Sequence, residues 1–171
     1  ELKQLPTLVS GGITTAYYAG FLLGSWYTLR ALKQVGHIRV YAALASLLSA
    51  SVLITGVYDS PIVWILMRSS TGFCFAGLYV VAESWLNGLA TNTFRGRLLA
   101  MYNVVTIGAY GAGQLLVFNF DARTLTGFAF AAVVSSLAVI PVVMSEQAAT
   151  PNVDNHTHIT MRELAKIVPT G

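Results

Sequence analysis

Arg68 and Glu83 are charges set in a run that is otherwise apolar. Residues 62–82 read IVWILMRSSTGFCFAGLYVVA, and Glu83 follows directly. About 20 apolar residues span a bilayer core as a helix, so Arg68 falls inside hydrocarbon, where a charge costs on the order of several kcal/mol. It has to face protein, water or a counter-charge, and in a membrane protein such a group marks a pathway or a gate. Arg68, Gly72, Ala76, Tyr79 and Glu83 follow steps of four, four, three and four residues, which puts them on one helical face. Arg68 and Glu83 are 15 residues apart, about 22 Å along a helix axis. They cannot pair with each other, so two separate tasks are expected. For Arg68 the alternatives are a functional cation and a structural plug bonded to carbonyls of a neighbouring helix. For Glu83 they are a working carboxylate and an interfacial charge in the headgroup zone.

A second polar set is Asn103, Thr106, Tyr110 and Gln114, at steps of three, four and four. It forms a stripe along one side of another apolar helix. Such a stripe lines a water-filled cavity or makes hydrogen bonds between helices.

The elements that carry these residues follow from composition. The chain has 171 residues, of which 55% are hydrophobic and only 10% charged. With a mean hydropathy of +0.65, it is far from the roughly 25% charged content of a soluble domain. We expect an all-α, polytopic membrane helix bundle with five transmembrane helices, at about 8–29, 38–57, 62–83, 98–118 and 125–144. None of the runs alternates as a membrane barrel strand would. Residues 1–146 form this bundle, and residues 147–171 form a polar segment. Within it TMRELAKIV reads as a short amphipathic helix, with Thr160 as N-cap and Glu163 at the capping-box position. The opening ELKQLPT has neither a basic start nor a cleavage site. It reads as the middle of a loop, so a further helix is expected upstream.

Charge placement sets the topology. Arg30, Lys33 and Arg39 flank connection 30–37, and Arg95 and Arg97 lie in connection 84–97, five of the chain's 10 basic residues. The positive-inside rule puts both connections, and the tail, in the cytoplasm of a multi-pass protein in the plasma (inner) membrane. These basic residues require no nucleic acid. The lone Cys74 is expected to be a small packing residue. No nucleophile–base or metal constellation is visible, so neither enzymatic activity nor a cofactor is expected, and loop histidines 156 and 158 read as solvated.

Packing signals are equally local. The first span carries Gly12, Ala16, Gly20 and Gly24 at four-residue intervals, the small-xxx-small pattern of closely approaching membrane helices. The second and fifth spans have only small hydroxyls as polar groups and read as peripheral. Pro61 opens the third span, and Pro141 should kink the end of the fifth.

Several strings resemble the major facilitator superfamily, in its amino-terminal half from the second to the sixth helix. GSWYTLRALKQVGHIRV stands where the family has its loop between helices two and three, with Gly36, His37 and Arg39 at the Gly-basic-basic end. Arg68-Ser69-Ser70-Thr71-Gly72 resembles the Arg-x-x-Gln-Gly motif of helix four. Glu83 followed by Arg95-Gly96 is similar to the acidic-then-RG pattern around the four–five loop. YYAGFLLGSW, GLYVVAESWLNG and RGRLLAMYNVV resemble the YcaD-type branch of bacterial transporters. Two departures stand out. Lys33 occupies the position of the family's loop acid, and GAYGAGQ lacks the Pro of the usual helix-five motif.

The resemblance implies a twelve-helix secondary transporter that moves a small solute by alternating access, with its site at the bilayer midplane. On that basis Arg68, Gly72, Tyr79, Asn103, Tyr110 and Gln114 are expected to serve substrate or coupling. Arg30, Arg39, Glu83 and Arg95 would form a cytoplasmic gate that pairs in the outward-open state. The alternative is a non-transporting subunit that joins a larger membrane complex through the Gly12–Gly24 face. The partners expected are the lipid bilayer, an unidentified small-molecule solute and, in the alternative, other membrane subunits. The topology is checked by single-cysteine labelling in a Cys74→Ala background. An impermeant reagent applied outside is expected to reach Ser60→Cys and not Thr91→Cys. The reverse pattern would overturn the arrangement.

Overall fold

The computed structural model describes residues 7–90, 93–118, 120 and 124–144. The amphipathic helix expected near Thr160 lies outside them, as does the rest of segment 147–171. The elements are α1 (Thr7–Val35), α2 (His37–Val57), α3 (Pro61–Leu89), α4 (Arg95–Val117), α5 (Leu125–Leu137) and α6 (Val139–Val143). The bundle is all-α, as expected. The fifth span is split at Ala138 into α5 and α6. Pro141 has no N–H for the Leu137 carbonyl four residues back, and its ring crowds that oxygen.

Helix α2, helix α3 and the segment Leu125–Val143 are long and apolar enough to cross a membrane. Helices α1 and α4, with 29 and 23 residues, are long enough but more polar. In α1 the cause is its Gly, Ser, Thr and Tyr content; in α4 it is Asn103, Gln114 and four glycines. Two connections are shorter than expected. Helix α1 runs on through Arg30 and Lys33 to Val35, leaving Gly36 alone between α1 and α2, at φ 84. That backbone region is essentially restricted to glycine. Helix α3 likewise continues past Glu83 to Leu89, because no Pro interrupts the segment after Pro61.

Helices α1 and α3 lie side by side and parallel, matched at four-residue steps. Gly20 faces the Ser69 carbonyl, Gly24 the Phe73 carbonyl, and Thr28 meets Gly77. A Cβ on Gly20 would sit 2.7 Å from the Ser69 carbonyl carbon, and one on Gly24 2.9 Å from that of Phe73. Neither backbone can yield that space. Helix α3 answers with Gly72, where a Cβ would lie 3.0 Å from the Tyr17 carbonyl carbon. Gly12 meets only Ile65, at 3.9 Å, and Ala16 is half-buried. The close helix contact expected at Gly20 and Gly24 is made by the chain's own α3, which fills the part of the face that the non-transporting alternative gives to another subunit.

Helix α2 is not peripheral. It lies between α3 and α5 and buries Val40, Leu44, Ala45, Leu48 and Ser51. Its hydroxyls bridge helices on both sides. Ser51 bonds Ser70 at 2.8 Å, Ser49 donates to the Ala132 carbonyl at 2.9 Å, and Ser136 donates to Ser49 at 2.9 Å. Each such bond contributes roughly 0.6 kcal/mol in a membrane. The core joins Leu32, Val40, Leu44, Leu48, Cys74 and Val81, and Cys74 is a buried packing residue within it. Replacing Gly20 by Leu should separate α1 from α3 and lower the detergent melting temperature sharply, since overpacking costs about 1–3 kcal/mol or more. Gly108→Leu, at a position with open space around it, should leave melting unchanged. An undisturbed Gly20→Leu would refute the α1–α3 contact.

Candidate functional site

Helix α3 presents Arg68, Phe75 and Tyr79 on one narrow face, within about 40° of one another at 100° per residue. The buried Gly72 and Ala76 flank that face on the side packed against α1. The face opens into the wedge between α1 and α4. Side chains on a helix lean toward its N-terminus, so Tyr79 and Arg68 tilt the same way and stay about 16 Å apart along the axis. Its hydroxyl is hydrogen-bonded to that of Tyr110 on α4. This phenol pair is a side-chain bridge between two helices that otherwise touch little.

Tyr17, on α1, borders this face, and its backbone rests on Gly72. Its ring packs against Phe21, with centroids 6.2 Å apart. The residue patterns did not single out Tyr17. The available signal was its position beside the small stripe, three residues before Gly20, where a side chain must run along the α1–α3 seam. Arg68 itself is exposed. Among the described residues no carboxylate pairs with it.

The expected site residues divide unevenly around this wedge. Tyr79 and Tyr110 come together, while Arg68 shares their helical face three turns away, about 16 Å along the axis. Gly72 has no side chain to offer a ligand; in this geometry it admits the α1 backbone. Helix α4 runs antiparallel to α3, so Gln114, one turn past Tyr110, falls on the Arg68 side and is exposed. Asn103 falls near the other end, next to Tyr102, which lies in the electrostatic field of Glu83. Asn103 is therefore not with Arg68. Thr106 turns its hydroxyl to the Tyr102 carbonyl, at 2.8 Å.

At the opposite end the four gate residues are not ion-paired among the described residues. Arg30 stacks over the Trp26 ring, 3.7 Å from its centroid, because the two are one turn apart on α1. Arg95 donates to the Asn87 carbonyl at 3.5 Å, and Asn87 donates to the Glu83 carbonyl at 2.9 Å. Arg39 is exposed. What links the helices at this end is His37, whose Nε2 lies 3.0 Å from the Ser84 hydroxyl and whose ring packs near Trp85. His37 belongs to the Gly-basic-basic string, whereas Ser84, beside Glu83, stands out by neither charge nor period.

A separate, apolar cavity of about 710 Å³ opens between α4 and α5, lined by Ala109, Ala112, Gly113, Leu116 and Phe128. Among the described residues no cluster of His, Cys, Asp and Glu could hold a metal ion.

Known proteins supply an independent comparison. Uncharacterized MFS-type transporters called YcaD from Salmonella arizonae and Salmonella newport are each 33% identical to this chain over 122 residues. That stretch is 71% of this chain and 32% of each relative. The chain belongs to the major facilitator superfamily. Within it the chain is of the YcaD type, and it spans about a third of the length of the curated relatives it matches. No family model and no solved structure matches it. In this major facilitator bundle the Tyr79–Tyr110 bridge can be measured directly. Tyr79→Phe and Tyr110→Phe should each lower melting slightly, and a double-mutant cycle should give a coupling of about 0.5–1.5 kcal/mol. Strict additivity would show that the phenols do not bond.

Proposed function

We propose that this chain works in a secondary active transporter that moves a small solute by alternating access. One observation carries the proposal. Arg68 stands in a membrane-length helix, on an open face, with no carboxylate partner among the described residues. A guanidinium in that setting is stable only with water in a cavity or with an anion on the solute or another helix. Kinship with YcaD-type proteins, whose name records them as transporters, points the same way.

Arg68, Tyr79, Tyr110 and Gln114 then form the solute or coupling site, with Gly72 setting the approach of α1. Asn103 serves the cytoplasmic end of the pathway. Arg30, Arg39, Glu83 and Arg95 form a gate that pairs only in the outward-open state. Connections 30–37 and 84–97 face the cytoplasm of an inner-membrane protein. The non-transporting subunit is the weaker reading, since the small face it relied on is filled by α3 at Gly20 and Gly24.

The test is uptake of a labelled solute panel into proteoliposomes that contain the full chain. Arg68→Gln and Arg68→Lys should insert and melt as wild type does, while uptake falls at least about tenfold for a lost charge-assisted contact. Folding lost together with uptake would mark Arg68 as structural. Uptake retained by Arg68→Gln would remove it from the site.

A further inference from the structure

We infer that the unpacked face of α1 around Trp26, Arg30 and Lys33 holds the headgroup of an anionic phospholipid at the rim of the bilayer. The inference goes beyond the transport proposal and stands without it. At 100° per residue, Trp26, Arg30 and Lys33 fall within about 60° of one another. They lie on the side of α1 opposite its buried residues Gly20, Gly24, Thr28 and Leu32. Gly20, Gly24 and Thr28 meet α3, the helix against which α1 chiefly packs, so the basic group points out of the bundle. Trp26 is 60% exposed, and Leu22, one turn before it, is 72% exposed. Arg30 and Lys33 are exposed as well.

The face is graded along the helix axis. Leu22 lies about 12 Å and Trp26 about 6 Å to the apolar side of Arg30, and Lys33 lies about 4.5 Å beyond it. Apolar surface, then an indole, then cations follows a phospholipid from acyl chain to phosphate. The Arg30 guanidinium lies 3.7 Å from the centroid of the Trp26 ring. Side chains lean toward the helix N-terminus, so this contact holds the cation back at the bilayer rim instead of letting it extend into water. The ring covers one face of the guanidinium and leaves its N–H edge free for two phosphate oxygens, while Lys33 adds a point charge. Helix α1 has no Asp or Glu, and neither Arg30 nor Lys33 is ion-paired among the described residues. The described cations at this end are Arg30, Lys33, Arg39, Arg95 and Arg97, and the described carboxylate is that of Glu83; Asp59 lies in the turn at the opposite end. Charge complementarity therefore favours a headgroup of net negative charge over a zwitterionic one, whose ammonium the second cation repels. Pairing of Arg30 in the gate would take it off Trp26, so lipid and gate compete for one guanidinium.

The experiment is quenching of Trp26 fluorescence in the full chain, reconstituted in phosphatidylcholine vesicles that carry brominated phosphatidylglycerol or brominated phosphatidylcholine. Trp64→Phe and Trp85→Phe leave Trp26 as the reporting indole of the chain's 3. Phosphatidylglycerol should be preferred at Trp26 about 25-fold, at about fivefold per cation. Lys33→Gln should cut the preference to about fivefold, and Arg30→Gln together with Lys33→Gln should remove it. Both variants should melt as wild type does, because neither side chain bonds another helix. Arg97→Gln, the same loss of charge on α4, should keep the full preference. Wild type and Lys33→Gln compared with all three indoles present give the same test without the Phe background. No preference in the wild type, a preference that survives the double substitution, or an equal loss in Arg97→Gln would overturn the site. Added inorganic phosphate should leave the quenching unchanged. Relief by phosphate would mark a site for free anions, and Trp26 quenched by neither lipid would mark a face covered by protein; either would overturn the lipid assignment.

Discussion

The structure depends on how closely α1 can approach α3. Gly20 and Gly24 on one helix and Gly72 on the other bring backbone onto backbone, a contact that no residue with a Cβ permits. In a bilayer this approach replaces the hydrophobic effect, since lipid tails are as apolar as the side chains they would displace. It makes the pair a rigid unit of parallel helices. Everything argued about Arg68 follows from that rigidity. The guanidinium sits beside the seam, and the same packing that excludes lipid from one side of α3 leaves the Arg68 face open on the other.

The remaining helices attach by different means. Helix α2 is held by buried Val40, Leu44 and Leu48 and by serine bonds to Ser70 and Ala132, so it ties α3 to α5. Helix α4 has no such hold. None of its described residues is buried, and the Tyr79–Tyr110 bond anchors it. A firm α1–α2–α3–α5 core beside a loosely held α4 is the arrangement expected where a cavity forms against one helix. Polar groups on α4 would otherwise have to meet lipid.

Helix number, the order of spans and the face shared by Arg68 and Tyr79 were legible in residue pattern, because period and apolarity are local properties. The small stripe was legible as a contact surface, but its partner was not. Gly12 to Gly24 says that something approaches closely; only the fold shows that Ser69, Gly72 and Phe73 do. Helix ends were read short, since Arg30 and Glu83 look like loop residues when charge is taken to mark the membrane edge, whereas a helix simply continues into water. Tyr17 stands outside every pattern because its contact, Gly72, lies far along the chain; His37 belongs to the Gly-basic-basic string, but its partner Ser84 emerges only in the fold. Asn103 and Gln114 share a period, yet 11 residues, about three turns of helix, separate them.

The central claim is that the α1–α3 pair turns Arg68 toward water rather than toward lipid or a sealed contact. The direct measurement is the reactivity of Arg68→Cys in a Cys74→Ala background toward a small, charged, water-borne thiol reagent. The protein should be reconstituted in bilayers, with Leu66→Cys, exposed on another side of α3, as the lipid-facing comparison. Position 68 should react readily and position 66 should not. If Arg68→Cys is inert to the charged reagent, or reacts only with a probe dissolved in the lipid, the face is closed to water and the account of Arg68 as a working cation is wrong.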